Sequence, residues 1–210
     1  MRMPHFPGFP KTAAQTKREA EYHQSLGNFV TEFSNAEAIL HHLVCKFAGV
    51  IQPTANAVFS GVRIEAAMSY INRIADAQKW RKGRKARLQI IFTQLGHINK
   101  LRNEILHYGS TVQTSGTVLI TNKNVVHLKS RIQERRISAT VLNDATKDLI
   151  KIFWLLVAFA WYPKLPMWEK IMGSILDVSW SYKPQQPRPP ARRNRKNPPK
   201  PQPPPTSSRA

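Results

Sequence analysis

Three side chains near the middle of the chain have types and spacing suited to phosphodiester chemistry. Arg102, Asn103 and His107 lie within a single short segment. A guanidinium can hold a phosphate, an imidazole can take or give a proton near neutral pH, and an amide can orient either group. The chemistry needs no metal ion, and we expect no cofactor. These residues therefore predict a site that binds and cleaves a phosphodiester.

The segment that carries these side chains is predicted to end a helix. Asn103 and His107 are four residues apart and share one face, whereas Arg102 lies about 140° from His107 around the helix and must use its long stem to converge. Arg102 also occupies a slot in an apolar seam, where it needs an anion or a carboxylate partner such as Glu37 or Glu65. The seam, which repeats in steps of three and four, consists of Leu88, Ile91, Leu95, Ile98 and Ile105.

Other helices must form the remainder of a bundle around this one. A first helix is predicted from Thr12 to Ala48, with Gly27 as a point of bending or breaking. Pro53 should stop the chain, and Thr54 should cap a second helix. The third helix should end near His107, before Gly109. The expected inner face of the second helix consists of Val58, Val62, Ala66, Ile71 and Ile74.

After the third helix the pattern changes to short β-branched runs. Residues 117–121 and 125–128 flank a turn at 122–124, which predicts a small hairpin. Ser138 should then cap a fourth, nearly all-apolar helix that ends at Pro163. A short fifth helix is predicted from Met167 to about Val178. The expected fold is all-α, an up-down bundle of four to five helices with a hairpin insertion at about 111–137.

Composition divides the chain into a folded part and a tail. We predict a flexible terminus over residues 1–11, one helical domain over 12–182 and a disordered tail over 183–210, where ten of the 16 prolines lie with eight Lys or Arg and no acidic residue. The single cysteine, Cys45, cannot form an internal disulfide, which favours a reducing compartment, by default the cytoplasm. The amino-terminal segment lacks the apolar run of an export signal.

The charge balance predicts a polyanionic partner. The chain carries 32 Lys or Arg against 12 Asp or Glu, a formal charge of +20, and removal of the tail's eight positive charges leaves +12 on the folded part. RNA is the favoured partner, gathered on a basic rim by counterion release. The residues predicted to bind its backbone are Arg81, Lys82, Arg84 and Lys85 in a basic connector that leads to the third helix, Arg87 and Lys100 beyond that connector, and Arg192, Arg193, Arg195 and Lys196 in the tail.

A nine-residue segment resembles the R-x4-6-H motif of HEPN domains, with a polar residue directly after the arginine. Its sequence is Leu101-Arg102-Asn103-Glu104-Ile105-Leu106-His107-Tyr108-Gly109. The order of the predicted helices, over roughly residues 29–161, is also similar to that of the HEPN bundle. The resemblance implies a homodimer that places two motifs in one cleft and cuts RNA without a metal ion. It implies that His107 is the general base or acid, that Arg102 stabilises the phosphate charge and that Asn103 orients the site. It further suggests a toxin or phage-defence effector with a cognate antitoxin.

Other interpretations compete with the ribonuclease. The bundle and tail can form a catalytically inactive module that binds RNA, a nucleotide or a protein. A membrane-surface protein would need an exposed apolar face, and the run Ile152 to Trp161 is too short to span a bilayer. His41, His42 and Cys45 have helical spacing for metal ligands, but no fourth ligand lies nearby, so a packing role is preferred. Likewise, His107 can be a helix C-cap without chemistry.

Overall fold

A computed structural model describes residues 12–113, 117–122, 132–161 and 173–185. The described chain is mostly helical and forms a helical bundle with a small antiparallel sheet, which confirms the predicted class at this level. Within these residues, no helix is long and apolar enough to cross a membrane. The elements in chain order are α1 (Ala13–Ala48), α2 (Gln52–Phe59), α3 (Ile64–Ala77), α4 (Lys82–His107), β1 (Gly109–Val112), β2 (Val118–Thr121), β3 (Glu134–Ile137) and α5 (Ala139–Trp161).

The first helix has the predicted length and well-defined ends. Thr12 caps α1 through a reciprocal pair of hydrogen bonds with Gln15, and Gly49 ends it in the left-handed conformation at φ 67°. Gly27 lies inside the continuous helix, so the break considered there does not occur. Phe29, among the residues predicted to face inward, is fully buried in the core. For Phe29, the apolar period of α1 therefore predicted the buried face of the helix correctly.

The second predicted helix is wrong as a single element, because the chain divides it into α2 and α3. Gly61 separates them at φ 74°, a left-handed conformation that glycine adopts at little cost. Pro53 lies in the first turn of α2, where its missing N–H is not needed, and Ile51 rather than Thr54 is the N-cap. Val58, predicted to be buried, is 62% exposed. Ile71, also predicted to face inward, is fully buried. The buried residues of the two helices are Ala55, Ile64, Ala67, Ile71 and Ala75.

Contacts near the helix ends show that helices consecutive in the chain alternate in direction. The Nε2 of His41 donates to the Phe59 carbonyl at 3.0 Å, so α2 returns along α1. Gln78, just after α3, donates to the Phe47 carbonyl at 3.0 Å, which brings α3 back to the end of α1. α4 then begins beside Phe47 and extends in the opposite direction. Helices that follow one another in the chain thus alternate in direction, whereas α1 and α5, which pack along each other, run the same way: the rings of Phe47 and Phe159, near their C-terminal ends, are 6.4 Å apart.

The strands follow α4 and precede α5 in the chain, as predicted. The strands that pair with each other differ from those of the predicted hairpin. β2 pairs with β1 on one side and with β3 on the other, both antiparallel. Because both edges of β2 are occupied, the predicted pairing of 117–121 with 125–128 is wrong. The first strand starts at Gly109, directly after the helix, where only a stop was expected. Residues 125–128 themselves lie outside the described residues.

The last long helix is central, as its composition predicts. Ser138 caps α5 by accepting a hydrogen bond from the Val141 N–H at 3.3 Å, and the helix packs along α1. Of the predicted fifth helix, residues 173–177 are helical, and Leu176 packs against the core. Met167 lies outside the described residues, as do the predicted flexible terminus at 1–11 and the tail beyond residue 185.

Candidate functional site

An open groove of about 320 Å³ lies along the last three turns of α4, facing the first turn of α3. We call it the α4 groove. Steps of three and four residues place its helical members on one face, and α3 contributes a single acidic side chain from the opposite wall. The residues that line the α4 groove are Glu65, Gly96, Lys100, Asn103, Glu104, His107 and Tyr108.

Two of the three predicted catalytic residues line the α4 groove together. Asn103 and His107 are four residues apart, and their shared helical face is the one that forms the groove. His107 is exposed on the last turn of α4, and its imidazole has no hydrogen-bond partner among the residues that the structure describes. A basic group at this end also suits the helix dipole. The imidazole is thus available to a ligand.

Arg102 lies beside the groove rather than in its wall. Its guanidinium carbon is 5.4 Å from the centre of the Phe33 ring, within the range of a cation–π contact. Its Nη1 donates to Oδ1 of Asn103 at 3.1 Å, so the arginine contacts the groove through the amide. The carboxylate pairing considered for Arg102 is not observed in the described chain. Glu65 accepts a hydrogen bond from Asn99 instead.

The helix that carries the motif is tied to the sheet by a nearly buried ion pair. Nη1 of Arg135 on β3 donates to Oε2 of Glu104 at 2.6 Å, and Nη2 donates to the Tyr182 hydroxyl at 2.7 Å. Burial opposes the charge of Arg135, but its hydrogen bonds to Glu104 and Tyr182 outweigh that effect and raise its pKa. Burial also raises the pKa of Tyr182. Glu104 therefore helps to hold the end of α4 in place.

A buried carboxylate fastens the C-terminal segment to the bundle. Asp148 on α5 is 2% exposed and accepts hydrogen bonds from the backbone N–H groups of Ser181 and Tyr182, both at 2.9 Å. Gln94 on α4 donates to the same carboxylate at 2.8 Å and to the Tyr182 carbonyl at 3.0 Å. Sequence analysis missed this cluster. An acidic residue directly before the apolar run of α5 was the available signal, since carboxylates are rarely buried without partners.

The predicted RNA-binding residues fall into different environments. Arg84 lies among aromatic rings, with its guanidinium carbon 3.7 Å from the centre of the Trp80 ring and 4.9 Å from that of Phe159, and burial lowers its pKa. Lys85 pairs with Asp76 at 2.8 Å. Arg81, Lys82 and Lys100 are exposed, Arg87 is partly buried, and Arg192, Arg193, Arg195 and Lys196 lie outside the described residues.

Arg84 and Arg81 should therefore behave differently when replaced. Arg84→Ala should lower the free energy of unfolding by about 1–2 kcal/mol, because it removes contacts with Trp80 and Phe159, and should leave RNA affinity nearly unchanged. Arg81→Ala, at an exposed position, should leave the unfolding temperature unchanged and weaken RNA binding mainly at low salt. Thermal unfolding and binding titrations at two salt concentrations measure both effects. Equal loss of RNA affinity in the two variants would contradict this division.

The His41, His42 and Cys45 cluster has packing partners. The Sγ of Cys45 is 3.9 Å from Nδ1 of His41, whose other ring nitrogen bonds the Phe59 carbonyl. The His42 ring stacks on Trp161 with centroids 5.0 Å apart. Burial raises the pKa of the Cys45 thiol. In the part of the chain that the structure covers, no three His, Cys, Asp or Glu side chains are grouped to hold a metal ion.

The chain matches no known protein-family model, no curated protein and no solved structure.

Proposed function

We propose that the chain is a metal-independent endoribonuclease of HEPN type that acts at the α4 groove. The observation that carries this proposal is the shared groove of Asn103 and His107, with Lys100 one turn away on the same face. Arg102 contacts the groove through its hydrogen bond to Asn103. The groove thus combines an available imidazole, an amide and nearby positive charge, which are the groups that the chemistry needs.

The proposed reaction is a transesterification within the RNA strand. The ribose 2′-oxygen attacks the adjacent phosphorus, its proton leaves, and the bond from phosphorus to the 5′-oxygen breaks as that oxygen is protonated. His107 carries out proton transfer, and Lys100 and Arg102 offset the charge that gathers on the phosphate oxygens. The products are a 2′,3′-cyclic phosphate and a 5′-hydroxyl. No step draws on a cofactor.

Positive charge outside the groove would bring the RNA to the site. Arg81 and Lys82 are exposed at the other end of α4, and the chain as a whole has a formal charge of +20. Such a surface binds a polyanion by releasing its counterions. The predicted tail residues would add to this attraction. We therefore expect binding to weaken steeply as salt rises.

A homodimer is part of the proposal, and α5 offers a surface for it. Ile150, Trp154 and Trp161 are 41%, 62% and 44% exposed, respectively, and their spacing places them along one face of the helix. Large apolar side chains exposed in a row are typical of an interface. Pairing of two such faces would give an isologous dimer with two α4 grooves. A toxin or defence role with a cognate antitoxin is the biological setting that we propose.

A catalytically inactive RNA-binding module is the second candidate, favoured by the position of Arg102. Its guanidinium lies over Phe33 and does not line the groove. If it stays there when RNA is bound, the phosphate loses one of the two charges assigned to it. The groove would then hold RNA without cutting it.

Cleavage in the presence of a chelator distinguishes the two candidates. Purified full-length protein is incubated with mixed RNA and excess EDTA, and the product ends are identified. We expect fragments with 2′,3′-cyclic phosphate and 5′-hydroxyl ends, formed at the same rate with and without EDTA. Binding without cleavage under both conditions would favour the inactive module, and cleavage that EDTA abolishes would contradict the proposed mechanism.

A further inference from the structure

Glu65 is the one side chain that α3 contributes to the α4 groove. It lies in the first turn of α3, whereas Lys100, Asn103 and His107 come from α4. The carboxylate and the imidazole thus approach the groove from two different helices. An RNA strand lying along the groove would therefore meet an ionisable group from each helix.

The carboxylate of Glu65, an exposed residue, is anchored through one of its oxygens. Asn99, which is only 6% exposed, donates from its Nδ2 to Oε1 of Glu65. A buried amide needs a hydrogen-bond partner, so this contact favours one orientation of both side chains. The second carboxylate oxygen has no partner in the described chain and is free to accept a proton. Asn99 is therefore a positioning residue for Glu65.

We propose that Glu65 is the general base and His107 the general acid of RNA cleavage, an inference that rests on the proposed function. Glu65 takes the proton of the 2′-hydroxyl, and the 2′-oxygen forms its bond to phosphorus. The bond from phosphorus to the 5′-oxygen breaks, and the imidazolium of His107 gives that oxygen its proton. Exchange with water then returns both groups to their starting protonation states. The step needs no other reactant.

The chemical properties of a carboxylate and an imidazole assign the base to Glu65 and the acid to His107. An ionised carboxylate is only an acceptor of hydrogen bonds and protons, so it suits the attacking hydroxyl. An imidazole can carry a proton near neutral pH and release it to a leaving oxygen. Lys100, also in the groove, stabilises the charge on the phosphate. Glu65 thus accepts the proton of the 2′-hydroxyl, and His107 donates a proton to the 5′-oxygen.

Glu65→Gln tests the inference because glutamine keeps an oxygen that can accept from Asn99. We expect the cleavage rate to fall at least about 100-fold, with RNA affinity and unfolding temperature close to those of the original protein. The fall in rate toward low pH, which reports protonation of the base, should disappear from the profile of kcat/KM. Glu21→Gln, at an exposed position on α1 outside the groove, is the matched control and should change neither rate nor pH profile.

Glu65→Asp distinguishes catalysis from packing. This variant keeps a carboxylate at a shorter reach, so it should cleave faster than Glu65→Gln and retain the fall in rate at low pH. Equal rates and identical pH profiles in the two variants would overturn the inference. A normal cleavage rate in Glu65→Gln, together with an inactive His107→Ala, would also overturn the inference. That result would leave the proposed ribonuclease function standing. If the unaltered protein does not cleave RNA, the proposed function and this inference both fail.

Discussion

Replacement of His107 by alanine should abolish RNA cleavage. In the proposed function the imidazole transfers a proton in the α4 groove, and loss of such a group lowers rates by about 100-fold to 10,000-fold. The fold should be unaffected, because His107 is exposed and its ring has no partner among the residues that the structure describes. Cleavage of mixed RNA in EDTA and thermal unfolding of the same sample measure the two effects.

His97→Ala is the matched control for that experiment. His97 is an exposed histidine on the same helix, and it lines a separate, mainly apolar groove together with Trp180. Its replacement should leave the cleavage rate unchanged, since it contributes no group to the α4 groove. If His107→Ala cleaves as fast as His97→Ala, the proposed function is wrong. A large drop in unfolding temperature in His107→Ala alone would show instead that the residue is structural.

The second large effect should be on stability, from Asp148→Ala. The change removes the acceptor for two backbone N–H groups and for the amide of Gln94, in a place almost without solvent. Donors left unsatisfied in a buried site are costly, so we expect the free energy of unfolding to fall by about 3–5 kcal/mol. Urea denaturation followed by circular dichroism measures it.

Asp144→Ala provides the comparison on the same helix. Its carboxylate has 33% of its side-chain surface exposed and pairs only loosely with Lys147, at 3.5 Å. Such surface pairs contribute little, so the loss should be below about 0.5 kcal/mol. Similar losses for the two aspartates would show that the hydrogen bonds of Asp148 do not anchor the C-terminal segment.

The local patterns predicted the long helices well and the shorter elements poorly. The apolar periods of α1, α4 and α5 extend over many turns, so no single residue decides them. The break at Gly61 depends on one backbone conformation, and the sheet depends on which strands meet across a distance. β-propensity indicated β2 but not its partners, because pairing is decided by tertiary contacts.

Part of the candidate site could also be predicted. Asn103 and His107 share the groove because their four-residue spacing places them on one face of any helix. Glu65 was considered only as a partner for Arg102, and the structure assigns it a different neighbour, Asn99. These two residues are far apart in the chain, so no spacing rule connects them. The catalytic pair proposed here became visible only when α3 and α4 were packed together.

The sequence by itself determined a basic, mostly helical chain with an imidazole and an amide on one face near the end of a long helix. Helical periodicity and charge are local or additive properties, so they can be read without coordinates. Only the tertiary structure decided that Arg102 lies over Phe33, that Glu104 pairs with Arg135, and that Asp148 holds the C-terminal segment. Each of these contacts joins distant segments, and their partners are selected by packing and by the need to satisfy buried polar groups.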